Sequence, residues 1–140
     1  TESCALAVPA SQRLVGYDEV SISDFCHEPV IIPERRTRPH SHDLTMHAFR
    51  AAGKSPVIAQ YAEEKQTILS LVAAGLGIAL VPSSYKNMNA DGVKYIALSP
   101  SESIKGLPLS VMWHQGNKNM YVTALLEILS GNIEALTRDL

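Results

Sequence analysis

The stretch Leu71-Val72-Ala73-Ala74-Gly75-Leu76-Gly77-Ile78-Ala79-Leu80-Val81-Pro82 reads as the end of an apolar helix, a glycine stop and a buried strand. The helix is predicted from Glu63 to Ala74, with Ile68, Leu69, Leu71 and Val72 forming a broad apolar face and Glu63 and Glu64 in its first turn. Gly75 supplies the left-handed residue that closes a helix, and Leu76 is placed for the apolar contact that follows such a cap. Ile78 to Val81 is then a buried strand ended by Pro82. Gly75-Leu76-Gly77 lacks the third glycine and the strand-before-helix order of a dinucleotide fingerprint, so the pair reads as helix capping rather than phosphate binding.

Working outward, Cys4 to Val8 is a short apolar run ended by Pro9 and predicts a buried strand. A polar stretch leads to Phe25, and Pro29 to Pro33 predicts a second strand bounded by prolines. The arginine-rich segment Glu34 to Ser41 reads as a loop, followed by a helix from Leu44 to Ala52 with Ser41 or Asp43 as its cap and Gly53 as its stop. Further strands are predicted at Val57–Ala59, Tyr95–Leu98 and Leu109–Trp113. A last helix is predicted from about Met120 to Leu129, with a second apolar turn through Ile133 and Leu136. Strands alternating with helices give an α/β sheet with parallel pairings and crossover helices.

With 140 residues, 46% of them hydrophobic and 19% charged, the chain supports a packed core. A net charge of −2 lacks the basic excess of a protein that holds nucleic acid by itself. Cys4 and Cys26 match no metal or disulfide framework and read as ordinary thiols of a reducing cytoplasm. No apolar run reaches membrane-spanning length and no basic-then-apolar signal opens the chain, so no membrane partner is expected. Thr1 is not an initiator methionine, and an upstream segment, a signal peptide included, is compatible with the sequence.

Several pieces in order resemble one family. Ala7-Val8-Pro9-Ala10-Ser11-Gln12-Arg13-Leu14, Asp24 to Ile31, Ala51-Ala52-Gly53 with Pro56, Leu71 to Pro82, Gly92 to Tyr95 and Leu109 to Trp113 resemble the effector-binding domain of LysR-type transcriptional regulators. Gln12 and Arg13 stand where the family usually has His-Pro. The resemblance covers roughly Ala5 to Leu129. It implies a type 2 periplasmic-binding-protein-like α/β fold, two subdomains around a ligand cleft. The second subdomain, 28–102, is expected complete; the first is expected only in part, as 1–27 (strand and hinge remnant) and 103–140 (return strand and helix). The winged helix-turn-helix and the opening of the first subdomain are absent, which implies a fragment that neither binds specific DNA nor holds its effector strongly. The implied partners are a small-molecule effector and further copies of the chain, with DNA reached only through the absent N-terminal domain.

In open α/β sheets ligands gather at the carboxyl ends of strands. Candidate contacts there are Arg35, Arg36 and Arg38, able to grip a carboxylate bidentately or simply to be solvated. Gln66, Thr67 and Ser70 on the following helix and Ser83 beyond Pro82 complete the set. Glu63 and Glu64 would repel an anion unless they face solvent or pair with an arginine. His40, His42, Asp43 and His47 have the spacing of metal ligands but no nearby cysteine, so neither metal nor cofactor is expected. Cys26-His27 is the nearest approach to a catalytic pair; no nucleophile elbow, phosphate loop or zinc helix is present, so no enzyme activity is expected. The alternative reading is a solute-binding protein of a transport system, which shares the fold.

Overall fold

β1 (Cys4–Pro9) runs through the middle of a four-stranded sheet, flanked on both sides by antiparallel neighbours that come more than 70 residues later. One neighbour is β5 (Ala79–Pro82) and the other is β6 (Val93–Leu98). The order is β2-β6-β1-β5, with the two-residue β2 (Glu19–Val20) parallel to β6 at the edge. β3 (Pro29–Pro33) and β4 (Val57–Ala62) form a parallel pair. A parallel bridge between Val30 and Ile78 joins the pair to the segment entering β5, making the two sheets nearly continuous. The computed structural model describes residues 3–99, 110–116 and 119–132.

Alternation along the strands explains the layers. Leu6, Val8, Val30, Ile32, Ile78, Leu80 and Ile96 face one side and pack with Leu14, Phe25 and Phe49. This is the side of α1 (Ile22–Phe25) and α2 (Pro39–Ala51). Ala7, Ile31, Ala79 and Val81 face the other side and pack with Ile68, Leu69 and Val72 of α3 (Lys65–Ala73). Strands buried on both faces read as continuous apolar runs, which is why β1, β3 and β5 are legible.

The α/β class stands, but the sheet is mixed rather than parallel, since β1 is antiparallel to both neighbours. The expected boundary between 27 and 28 is not a break in packing. β1 is central in the sheet, and Leu6, Leu14 and Phe25 share one core with Val30 and Ile78. The stretch up to Phe25 hides β2 and α1, because Val20, Ile22 and Phe25 are its only deeply buried side chains beyond Leu14.

α2 starts at Pro39, not Leu44, so Ser41 and Asp43 lie inside it and neither is its cap. Arg38 is the cap residue and Pro39 takes the first helical position, where its missing N–H costs nothing. Gly53 stops α2 as expected: its φ is +67°, and the Lys54 N–H donates to Phe49 O at 2.8 Å. α3 begins two residues later than predicted, leaving Glu64 as its cap and no acid in its first turn. Gly75 stops it at φ +77°, but Leu76 is 50% exposed and makes no buried staple. The 3₁₀ turn Ser83–Asn87 follows β5.

α4 (Met120–Gly131) forms as expected, with Asn119 accepting from the Tyr121 N–H at 3.0 Å. It buries no residue. Residues 110–113 form no strand and are exposed, with no neighbouring strand to pair with among the described residues. Leu109 and the apolar turn at Ile133 and Leu136 lie outside the described residues.

Candidate functional site

β3 and β4 are parallel, so their carboxyl ends, at Pro33 and Ala62, lie side by side. The Glu34 N–H donates to Ala62 O at 3.0 Å and carries the pairing one residue past β3. The loop from Glu34 to Arg38 and the start of α3 therefore meet at one edge. β5 points the same way through the parallel bridge at Ile78, and brings the Ser83–Asn87 turn to that edge.

The three arginines of the loop separate there. Arg35 Nε pairs with Asp43 Oδ1 at 3.2 Å and an Arg36 guanidinium nitrogen pairs with Glu63 Oε1 at 3.2 Å, both in solvent. Glu63 is thus turned to an arginine, as its position requires if the edge is to take an anion. Arg38 is half-buried and donates to the Tyr85 hydroxyl at 3.3 Å. Lys65, the first residue of α3, stands over the other part of Tyr85, its Nζ 5.1 Å from the ring centroid. Tyr85 itself is 3% exposed and packs in the α3-side core. Neither Lys65 nor Tyr85 was singled out by the sequence. Their signal is weak, since a lysine opening a helix and an aromatic after Pro82 have no special spacing.

The remaining candidates go elsewhere. Gln66 and Ser70 line a separate groove of about 330 Å³ between α3 and Met88–Asp91. Thr67 is exposed on the first turn of α3. Ser83 is tied to the start of β1: its N–H donates to Ser3 O at 2.9 Å and the two hydroxyls lie 2.7 Å apart. His42 Nδ1 lies 3.0 Å from Pro33 O and its ring stacks on Tyr61, while Asp43 is committed to Arg35. Among the described residues no three such groups gather as metal ligands. Cys26 is buried, its Sγ 3.6 Å from Ser23 O, and His27 beside it is exposed. Among the described residues no helix is long and apolar enough to cross a membrane.

Comparison with known proteins gives a consistent result. The family described as the LysR substrate binding domain matches residues 1–133. The HTH-type transcriptional regulator TtuA of Agrobacterium vitis is 42% identical over 135 residues, 95% of this chain and 44% of TtuA. BenM of Acinetobacter baylyi is 27% identical over 130 residues, 91% of this chain and 42% of BenM. The chain thus spans less than half the length of these two relatives. The BenM effector binding domain with its effector benzoate superposes with a TM-score of 0.65 at 30% identity, over 72% of this chain and 47% of that one. Full-length BenM superposes with a TM-score of 0.73 at 25% identity, over 93% of this chain and 43% of that one. The effector binding domain of QuiR in complex with shikimate, at 23% identity, shares the fold with a TM-score of 0.59 over 71% of this chain and 46% of that one.

Proposed function

The chain belongs to the LysR substrate-binding domain family, and on that premise we propose that it is the effector-sensing part of a cytoplasmic LysR-type transcriptional regulator. It senses a small organic anion and performs no catalysis. The observation that carries this reading is the convergence of the Glu34–Arg38 loop, the start of α3 and the turn after β5 at one edge of the sheet. Open α/β sheets hold ligands at such an edge, where loops and helix amino termini meet. Two structural neighbours, QuiR and BenM, are complexes with shikimate and benzoate, both small organic acids.

In this reading residues 3–99 are one subdomain, and the described residues 110–116 and 119–132 belong to the other. The exposed apolar residues Met112, Trp113, Met120, Leu125 and Ile128 then belong to the core of that other subdomain. Closure of the subdomains on the effector alters a homo-oligomer that presents winged helix-turn-helix domains to DNA. This is allostery only to the extent that the effector binds the two arrangements unequally. A transport solute-binding protein is not favoured, since the relatives named above are transcriptional regulators.

The test is DNA affinity of a regulator carrying this chain, measured with and without a panel of organic acids that includes benzoate and shikimate. One acid is expected to shift the affinity by about fivefold or more. Acids that bind the protein and leave DNA affinity unchanged would overturn the reading.

A further inference from the structure

Resting on the reading above, we infer that Arg38 and Lys65, gathered on Tyr85, form a subsite for a small organic dianion with two separated carboxylates. Charge balance in the loop after β3 leads there. Arg35 and Arg36 are each matched by one carboxylate, Asp43 and Glu63. Arg38 and Lys65 instead converge on a single tyrosine, one donating to its hydroxyl and the other lying over its ring. Among the described residues no carboxylate stands within ion-pair distance of either cation. Two positive charges gathered on one tyrosine repel, and a buried aromatic neutralises neither.

The backbone adds to the imbalance. Lys65 opens α3, where the helix dipole is positive and a cation is at its least favourable position. Glu64, the cap residue, makes no side-chain cap bond that would offset it. Arg38 and Lys65 thus share this edge with a helix amino terminus of the same sign, while Glu64, exposed at the start of α3, and Glu34, at the start of the loop, stand outside any ion pair among the described residues. A monoanion leaves one charge unmatched, and inorganic phosphate concentrates its charge at one point. A ligand with two carboxylates meets both, with the Arg38 fork taking one bidentately and Lys65 the other. Tyr85 is the fixed element. It is buried between α3 and the strands, so it sets the spacing that the ligand must match.

The experiment is an NMR titration of the isotopically labelled chain with malonate, acetate, inorganic phosphate and malonamide, a method that detects millimolar binding. Malonate is expected to shift the resonances of Arg38, Lys65 and Tyr85 and to bind about tenfold more tightly than acetate or phosphate, with no shifts from malonamide. Lys65→Gln and Arg38→Gln are each expected to weaken malonate binding about tenfold, Arg38→Lys to restore part of it, and the remote Lys54→Gln to change nothing. Equal binding of malonate, acetate and phosphate, an unaffected Lys65→Gln protein, or shifts confined to the groove beside Met88–Asp91 would each overturn the subsite. If an organic acid still alters DNA affinity in the Arg38→Gln/Lys65→Gln regulator, the subsite falls and the regulatory reading stands. If malonate binds as described and no acid alters DNA affinity, the reverse holds.

Discussion

The Pro29 carbonyl oxygen stands 2.6 Å from the position that a Cβ on Gly77 would occupy. The same carbonyl accepts from the Ile78 N–H at 2.9 Å, and the Ile31 N–H donates to Ile78 O at 2.8 Å. These two bonds join the β3–β4 pair to the other sheet, so the gap at Gly77 cannot widen without loss of the junction. Gly77→Ala is expected to destabilise the chain by about 2–3 kcal/mol. Gly75→Ala has open space around its Cβ and only the left-handed backbone to oppose it, at about 1 kcal/mol. Urea unfolding of both proteins checks the order; an equal cost would show that close approach at Gly77 is not what selects glycine.

Phe25 and Phe49 meet edge to face, centroids 5.9 Å apart and planes at 80°, and both are buried. They fasten α1 and α2 to the same sheet face. Phe49→Ala is expected to cost about 3–5 kcal/mol and Phe49→Leu under about 1.5 kcal/mol. Chemical denaturation monitored by circular dichroism measures both.

One carboxylate oxygen of Asp24 accepts from both the backbone N–H and the hydroxyl of Ser21, each at 2.7 Å. The backbone bond, then the hydroxyl bond, hold its carboxyl below the ordinary carboxylate range; slight desolvation opposes them and Arg13 adds to them. A lowered folded value means the carboxylate stabilises the fold above the ordinary aspartate range. That contribution is lost as pH falls through the lowered value. The melting temperature of Asp24→Asn, followed from neutral to acid pH, is expected to fall less steeply than that of the parent. Parallel curves would contradict this.

Burial, and secondarily the neighbouring Tyr85, raise the Tyr95 phenol above its ordinary value. Its hydroxyl donates to Met88 O at 3.4 Å. Here the sign is opposite: the neutral phenol favours the fold below the ordinary tyrosine value, and this stability is lost as pH rises through the raised one. Tyrosinate absorbance is expected to lack a high-pH step in Tyr95→Phe, and the alkaline loss of stability to be shallower. An unchanged titration would remove Tyr95 from that step.

Much of this fold is legible in the residues because buried strands and glycine stops carry local signals. Pro29–Pro33 matches β3, Gly53 and Gly75 stop their helices, and α4 starts at Met120 as read. The errors share a cause. Three arginines and a histidine made Glu34–Ser41 look like loop, although Pro39 opens α2 there and leaves His40 and Ser41 in solvent or half-buried. The central position of β1 depends on pairing with residues far along the chain, which no local pattern encodes. The same holds at the site. The arginines were visible by composition, but which of them is left without an acid is decided by Asp43 and Glu63 in three dimensions. Tyr85 became relevant only because β5 delivers it beside Arg38.

Because β1 is hydrogen-bonded on one side to β5 and on the other to β6, the sheet cannot be assembled in the order in which the chain is made. An emerging polypeptide carries Cys4–Pro9 without β5 until Pro82 is made and without β6 until Leu98 is made, and contacts of such long sequence separation fold slowly. During that interval an apolar strand with two open edges is exposed to self-association. Trimming the first nine residues would not shorten the sheet from its edge; it would remove the middle and leave β5 and β6 facing a gap.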